Sequence, residues 1–220
     1  MGIDVLKSVF SIRDREFRIE GRRGYYKEEK HRGFAVAISP KHLLTAAHCV
    51  PTDDTSYLLT QPEQNIRIED GFRVVCSDKD LDLAVVEVPE ELTFYRTVVT
   101  SENKPRFSEK LVLANHYNDI AQVLPVSKCL FTTQNLDYVP YYYVSSYKMP
   151  VRAVGGYSGS PLFTEDGRVA SVTVKAHNKR QDRVEAVSGF IKALGFAPLN
   201  VPFEAVDPNH VVRFVTECNI

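Results

Sequence analysis

Short runs of apolar, β-branched or aromatic residues recur along this chain every 8 to 15 residues, separated by turn-forming residues. GFAVAIS (33–39), FRVVCS (72–77), LAVVEV (83–88) and KLVLAN (110–115) open the series. AQVLPV (121–126), KCLFTT (128–133), YYYVSSY (141–147), RVASVTVKA (168–176) and RVEAVSGF (183–190) continue it. Runs this short cannot support long helices, and their even spacing is the signature of an all-β chain. Nine or more strands are too many for one simple sheet, so two packed barrels are expected. Helical periodicity is weak except at residues 3–12 and 203–220, each long enough for one short packing helix. The polar, Pro-containing stretch SENKPRFSEK (101–110) reads as a linker between two strand series. It divides the chain into a first barrel at 1–105, a second at 106–195 and a C-terminal extension or short helix at 196–220.

Over 220 residues, a hydrophobic share of 44% gives the chain a real core and excludes disorder and fibrous repeats. With 27 Lys and Arg against 28 Asp and Glu, no global field draws it to nucleic acid or anionic lipid. Residues 13–32 hold a local basic excess, which reads as a solvated, ion-paired segment. No apolar stretch approaches the roughly 18 residues of a membrane span, and charge interrupts the N-terminus too soon for a secretory leader. Leu6 stands where a myristoylation signal wants Ser or Thr. A cytoplasmic protein, not a secreted one, is therefore expected. Cys49, Cys76, Cys129 and Cys218 lack CxxC spacing, which suggests free thiols in a reducing compartment rather than a zinc knuckle or a disulfide framework. Without a phosphate loop, a metal cluster among the histidines or a dinucleotide fingerprint, neither cofactor nor metal is expected. Oligomeric state is not readable.

Hydrolysis of an unactivated amide needs a nucleophile, a base for its proton, a group that orients the base, and donors for the oxyanion. Three segments offer these parts. LLTAAHCV (43–50) ends a β-run in small residues and delivers His48 at a turn. DLDLAVVEV (80–88) sets Asp82 at the mouth of an apolar strand, where a buried carboxylate demands a partner such as a histidine N–H. Asp80 lies on the same face by alternation, but Leu83 and Ala84 follow Asp82 directly and favour it. GGYSGSPLF (155–163) surrounds Ser158 with glycines, whose backbone freedom lets the N–H groups of Gly156 and Ser158 converge on one point. Ser160 is the rival nucleophile, with a proline rather than a glycine after it.

In the order His48, Asp82, Ser158, these segments resemble the chymotrypsin/trypsin-like serine proteases, with their TAAHC segment, D-[LI]-A strand and G-x-S-G-[GS]-P loop. Chain order discriminates, because the same triad occurs in other orders on unrelated folds. The resemblance covers roughly residues 10–195. It implies two six-stranded antiparallel barrels with the active site between them, His48 as general base and then acid, Asp82 as its orienter, Ser158 as nucleophile, and the amides of Gly156 and Ser158 as oxyanion hole. It also implies a polypeptide substrate. The spacing is compact, as in the bacterial and viral branches, and the GYSGSP loop is similar to those of arterivirus- and sobemovirus-type enzymes that process a viral polyprotein. That gives the leading expectation, a cytoplasmic serine endopeptidase excising itself from a polyprotein. A bacterial intracellular trypsin-like effector protease and a catalytically retired peptide-binding module are the alternatives.

The sequence also departs from that family. Where secreted members pair the cysteine after the catalytic histidine with one about 16 residues earlier, this chain has Gly33. Tyr157 replaces the acidic residue that pairs with the new N-terminus of activated zymogens, so activation by that route is not expected. By the family's count Arg152 falls at the floor of the specificity pocket and Thr173, Val174 and Lys175 along its wall, with His177 a further candidate. A basic pocket would favour an acidic residue before the scissile bond.

Overall fold

The computed structural model describes residues 4–20, 23–50, 56–69, 72–89, 110–128, 141–145, 156–174 and 203–220. They form a mostly β protein with one short C-terminal helix. Strands β1 (Val9–Glu20), β2 (Arg23–Ala37), β3 (His42–Ala46), β4 (Ser56–Gln61), β5 (Ile66–Glu69), β6 (Arg73–Asp78) and β7 (Leu83–Glu87) make one sheet in the order β5-β4-β1-β2-β3-β7-β6. Strands β8 (Lys110–Asn115), β9 (Gln122–Lys128), β10 (Tyr141–Ser145), β11 (Pro161–Phe163), β12 (Val169–Val174) and β13 (Phe203–Val206) close into a barrel in the order β10-β13-β12-β11-β8-β9. Every pairing in the seven-stranded sheet is antiparallel, and so are those of the barrel.

The expectation of six strands in each half needs correction in the first, where the described residues form seven. The difference lies in the charged segment at 13–32, expected as a solvated stretch and found as the long β1–β2 hairpin. Its ladder runs from Val9 opposite Val36 to Glu20 opposite Arg23, and the Asp14 carboxylate of β1 is ion-paired with Arg32 of β2. Arg15 is buried and reaches Glu69 of β5 at 2.8 Å. The helix expected at 3–12 is a single 3-10 turn, Asp4–Ser8, before β1 begins. A further strand, β13, precedes the C-terminal helix α1 (Pro208–Glu217). Asp207 caps that helix by accepting from the Asn209 N–H at 2.8 Å, Pro208 fills its first turn, and Val211 and Phe214 pack into the core.

Two of the cysteines differ from expectation as well. Cys218 at the end of α1 is joined to Cys76 of β6 by a disulfide, with 5.9 Å between Cα atoms. The two are 142 residues apart, so no local spacing could announce the pair. Cys49 is free and buried; Cys129 lies outside the described residues. Among the described residues no helix is long and apolar enough to cross a membrane, and no three metal-ligating side chains cluster.

Candidate active site

Antiparallel register brings His48 and Asp82 together. Ala46, the last residue of β3, pairs with Leu83, the first of β7, so the chain leaving β3 and the chain entering β7 meet at one end of the sheet. The Ala47 N–H donates to the Asp82 carbonyl at 2.9 Å and locks the two ends. Upstream, the Asp78 carboxylate accepts from the N–H groups of Asp80 and Leu81 and shapes the tight turn. Asp82 completes that turn at φ +55°, a left-handed conformation that aspartate tolerates better than most residues.

Both carboxylate oxygens of Asp82 then face His48. Oδ2 accepts from Nδ1–H at 2.6 Å and Oδ1 from the His48 backbone N–H at 3.0 Å. This double grip fixes the ring's orientation and its tautomer, leaving Nε2 as the unprotonated nitrogen. The His48 side chain is 38% exposed, so its outer edge faces solvent or substrate. Asp80 is exposed and takes no part in this pair.

The serine loop is built from the other half. It enters β11 through Pro161 and is lashed to β12, where Thr173 supplies three bonds. Its hydroxyl donates to the Tyr157 carbonyl at 2.6 Å, its N–H to the Ser160 carbonyl at 2.9 Å, and its own carbonyl accepts from the Gly159 N–H at 2.7 Å. Thr173, expected along the specificity wall, is buried, and its side chain braces this loop. Val174 is buried in the core. Arg152, Lys175 and His177 lie outside the described residues. Ser160 is fully buried, and its hydroxyl accepts from the Asn115 amide at 3.3 Å, which removes it as a rival nucleophile. Ser158 is only half-buried.

Several contacts fasten the two halves around Ser158. The Phe34 N–H donates to the Ser158 carbonyl at 2.8 Å. A Cβ at Gly33 would collide with the Cys49 sulfur and would stand 2.5 Å from the Ser158 carbonyl oxygen, so a side chain at position 33 would press on both at once. Among the described residues, no backbone carbonyl accepts from the N–H of Gly156 or of Ser158.

Gly159 is the tightest point. It sits at φ +78°, and a Cβ there would run into the Phe34 carbonyl oxygen and stand 2.7 Å from Thr45 Oγ1. Gly159→Ala should therefore cost about 3 kcal/mol or more, through backbone strain and collision together. Thermal unfolding would show it as a drop in Tm of several degrees, and an unchanged Tm would contradict this packing.

The Cys49 thiol, next in sequence to His48, is pushed up to about 12, first by burial and then by the Asp82 charge, with smaller opposing effects from Thr45, Arg32 and Ser158. At pH 8 the thiolate fraction is on the order of 10⁻⁴. Native protein treated with an alkylating reagent should show Cys49 unmodified by mass spectrometry and labelled only after unfolding. Rapid labelling in the native state would overturn that assignment.

Comparison with known proteins agrees with the fold. A sequence model of the trypsin-like peptidase domain matches residues 33–172. The chain belongs to that family. Among solved structures it is similar to the serine endoprotease from Yersinia pestis, with a TM-score of 0.64 at 13% identity. That match covers 98% of this chain and 64% of the other. It is also similar to the HtrA-type protease AlgW with decapeptide, with a TM-score of 0.71 at 13% identity over 99% of this chain and 66% of the other. The chain thus spans just under two thirds of the length of both. No curated protein matches the sequence.

Proposed function

We propose that His48, Asp82 and Ser158 hydrolyse internal peptide bonds through an acyl-enzyme intermediate. The observation that carries this reading is the two-point grip of Asp82 on His48, which presents Nε2 as a base. Ser158 Oγ attacks the substrate carbonyl carbon as Nε2 takes its proton, and negative charge moves to the carbonyl oxygen. The amides of Gly156 and Ser158 receive that charge. Collapse of the tetrahedral intermediate breaks the C–N bond, and the imidazolium returns its proton to the departing amine. Water, deprotonated by the same nitrogen, then attacks the ester and restores Ser158. Among the described contacts the Ser158 hydroxyl has no bond to His48; such bonds commonly tighten only when substrate is bound.

Two settings for this chemistry are separable. Self-excision from a viral polyprotein is supported by the likeness of the GYSGSP loop to those of viral processing enzymes. A bacterial trypsin-like protease is supported by the similar Yersinia pestis and HtrA-type structures. The Cys76–Cys218 disulfide favours an oxidising compartment over the cytoplasm. We favour the second setting because the fold likeness extends over the whole chain, while the viral likeness rests on one loop.

A cleavage profile on a mixed peptide library, with Ser158→Ala as blank, tests the reading. Cuts present with the native protein and absent with the variant support it. Cuts concentrated after Glu or Asp would also assign the basic residues Arg152 and Lys175 to the pocket. Cuts that persist in Ser158→Ala contradict the assignment.

A further inference from the structure

We propose that His31 is a positioning residue of the oxyanion hole, holding the Gly156 carbonyl so that the loop's amides stay aimed at the reacting oxygen. The inference rests on the catalytic reading above and adds a residue outside the triad. His31 lies on β2, in the other half of the molecule from the serine loop, and its Nε2 is 2.9 Å from the Gly156 carbonyl oxygen. A carbonyl can only accept, so Nε2 must carry the hydrogen. On the far side of the ring Nδ1 is 3.0 Å from the Ser11 hydroxyl, which can donate to it. The two partners together specify one neutral tautomer with both nitrogens satisfied.

The surroundings favour that neutral form. The ring lies against Phe34, with centroids 4.6 Å apart, and meets Tyr117 edge-on at 6.1 Å. Burial is the main influence on His31 and lowers its pKa; the bond to Gly156 opposes it. Arg13 on β1 and Asp119 in the turn before β9, themselves ion-paired, act in opposite directions on the ring. His31 is aimed by a bulge. The β1–β2 register moves from Ile12 opposite Gly33 to Arg13 opposite His31, which leaves Arg32 as an extra residue and breaks the alternation of faces.

Gly156 needs such a hold. Its φ of +118° is open to glycine but strained for other residues, and glycine has no side chain with which to fix itself. Its space is already crowded, since a Cβ would stand 3.1 Å from His31 Cδ2 and 3.2 Å from Tyr117 Cε2. Three successive carbonyls of the loop are each tied to a neighbour: Gly156 to His31, Tyr157 to Thr173 and Ser158 to Phe34. The Tyr157 ring is held too, stacked on Tyr117 at 5.1 Å and donating its hydroxyl to Gln122 at 2.8 Å. Of the three carbonyl ties, only the one from His31 can be removed by substitution without taking away a backbone N–H or a fully buried hydroxyl.

Two variants separate this role from simple packing. His31→Phe fills the ring's space without a donor, and His31→Gln places an amide N–H near the position of Nε2. Because the hole acts where charge develops, His31→Phe should lower kcat by about 10- to 100-fold and leave KM within about twofold. The rate at which a fluorophosphonate labels Ser158 should fall by a similar factor, with little change in Tm. His31→Gln should recover most of the lost rate. Full activity in His31→Phe, or equal impairment of both variants, overturns the inference while the triad stands. A native protein that neither cleaves peptides nor is labelled at Ser158 overturns the catalytic reading, and the inference with it.

Discussion

Ser158→Ala removes turnover and leaves the fold intact. The expected loss is on the order of 10⁶ in kcat, the scale found when the serine of another such triad is deleted. Only Oγ is lost. The loop's shape is set by backbone bonds at Ser158, Gly159 and Ser160 and by the Thr173 hydroxyl, none of which needs the Ser158 side chain. The Tm should therefore move little. Activity measured with the pure variant that stays within tenfold of the native protein would mean that another group attacks the substrate. It would not point to Ser160, which is buried and engaged by Asn115.

Asp82→Asn should cost about 10⁴ in kcat, the size found for the same exchange in the Ser-His-Asp template. The mechanism is a change of tautomer. In the native structure Oδ1 accepts the His48 backbone N–H while Oδ2 accepts Nδ1–H. An asparagine whose oxygen keeps the backbone bond turns its NH2 toward Nδ1. The ring must then carry its hydrogen on Nε2, where it blocks receipt of the serine proton. Shape and the Ala47 contact survive, so kcat falls far more than stability. A loss below tenfold would contradict the role given to Asp82.

The strands that build the core were legible because their apolar runs are unbroken. GFAVAIS and LAVVEV contain β2's buried end and all of β7, and both lie within the core. The β1–β2 hairpin beyond residue 12 was hidden because its strands are rich in charge, a pattern that reads in one dimension as a solvated run. Residues His48 and Ser158 stood out because each sits in a segment of small or glycine residues, and Asp82 because it stands at the mouth of an apolar strand. What held them did not stand out. Thr173 drew notice only because its strand follows the serine loop; that its hydroxyl is turned toward the Tyr157 carbonyl has no mark in the sequence. His31 carried no signal at all: it sits among charged residues, and its contact with Gly156 spans 125 positions. The Cys76–Cys218 bond was out of reach for the same reason, since sequence separation conceals a pairing that only the docking of α1 against the first sheet creates.

The central claim, that one serine is activated at the meeting of these two halves, is tested most directly by fluorophosphonate labelling followed by peptide mapping. Attack by Oγ on phosphorus expels fluoride and leaves a stable phosphonyl ester, so the modified residue can be read from its mass. The account predicts one adduct per chain, on Ser158, lost in Ser158→Ala and strongly slowed in Asp82→Asn. A native, folded protein that takes up no label, or carries it on any other residue, would contradict it.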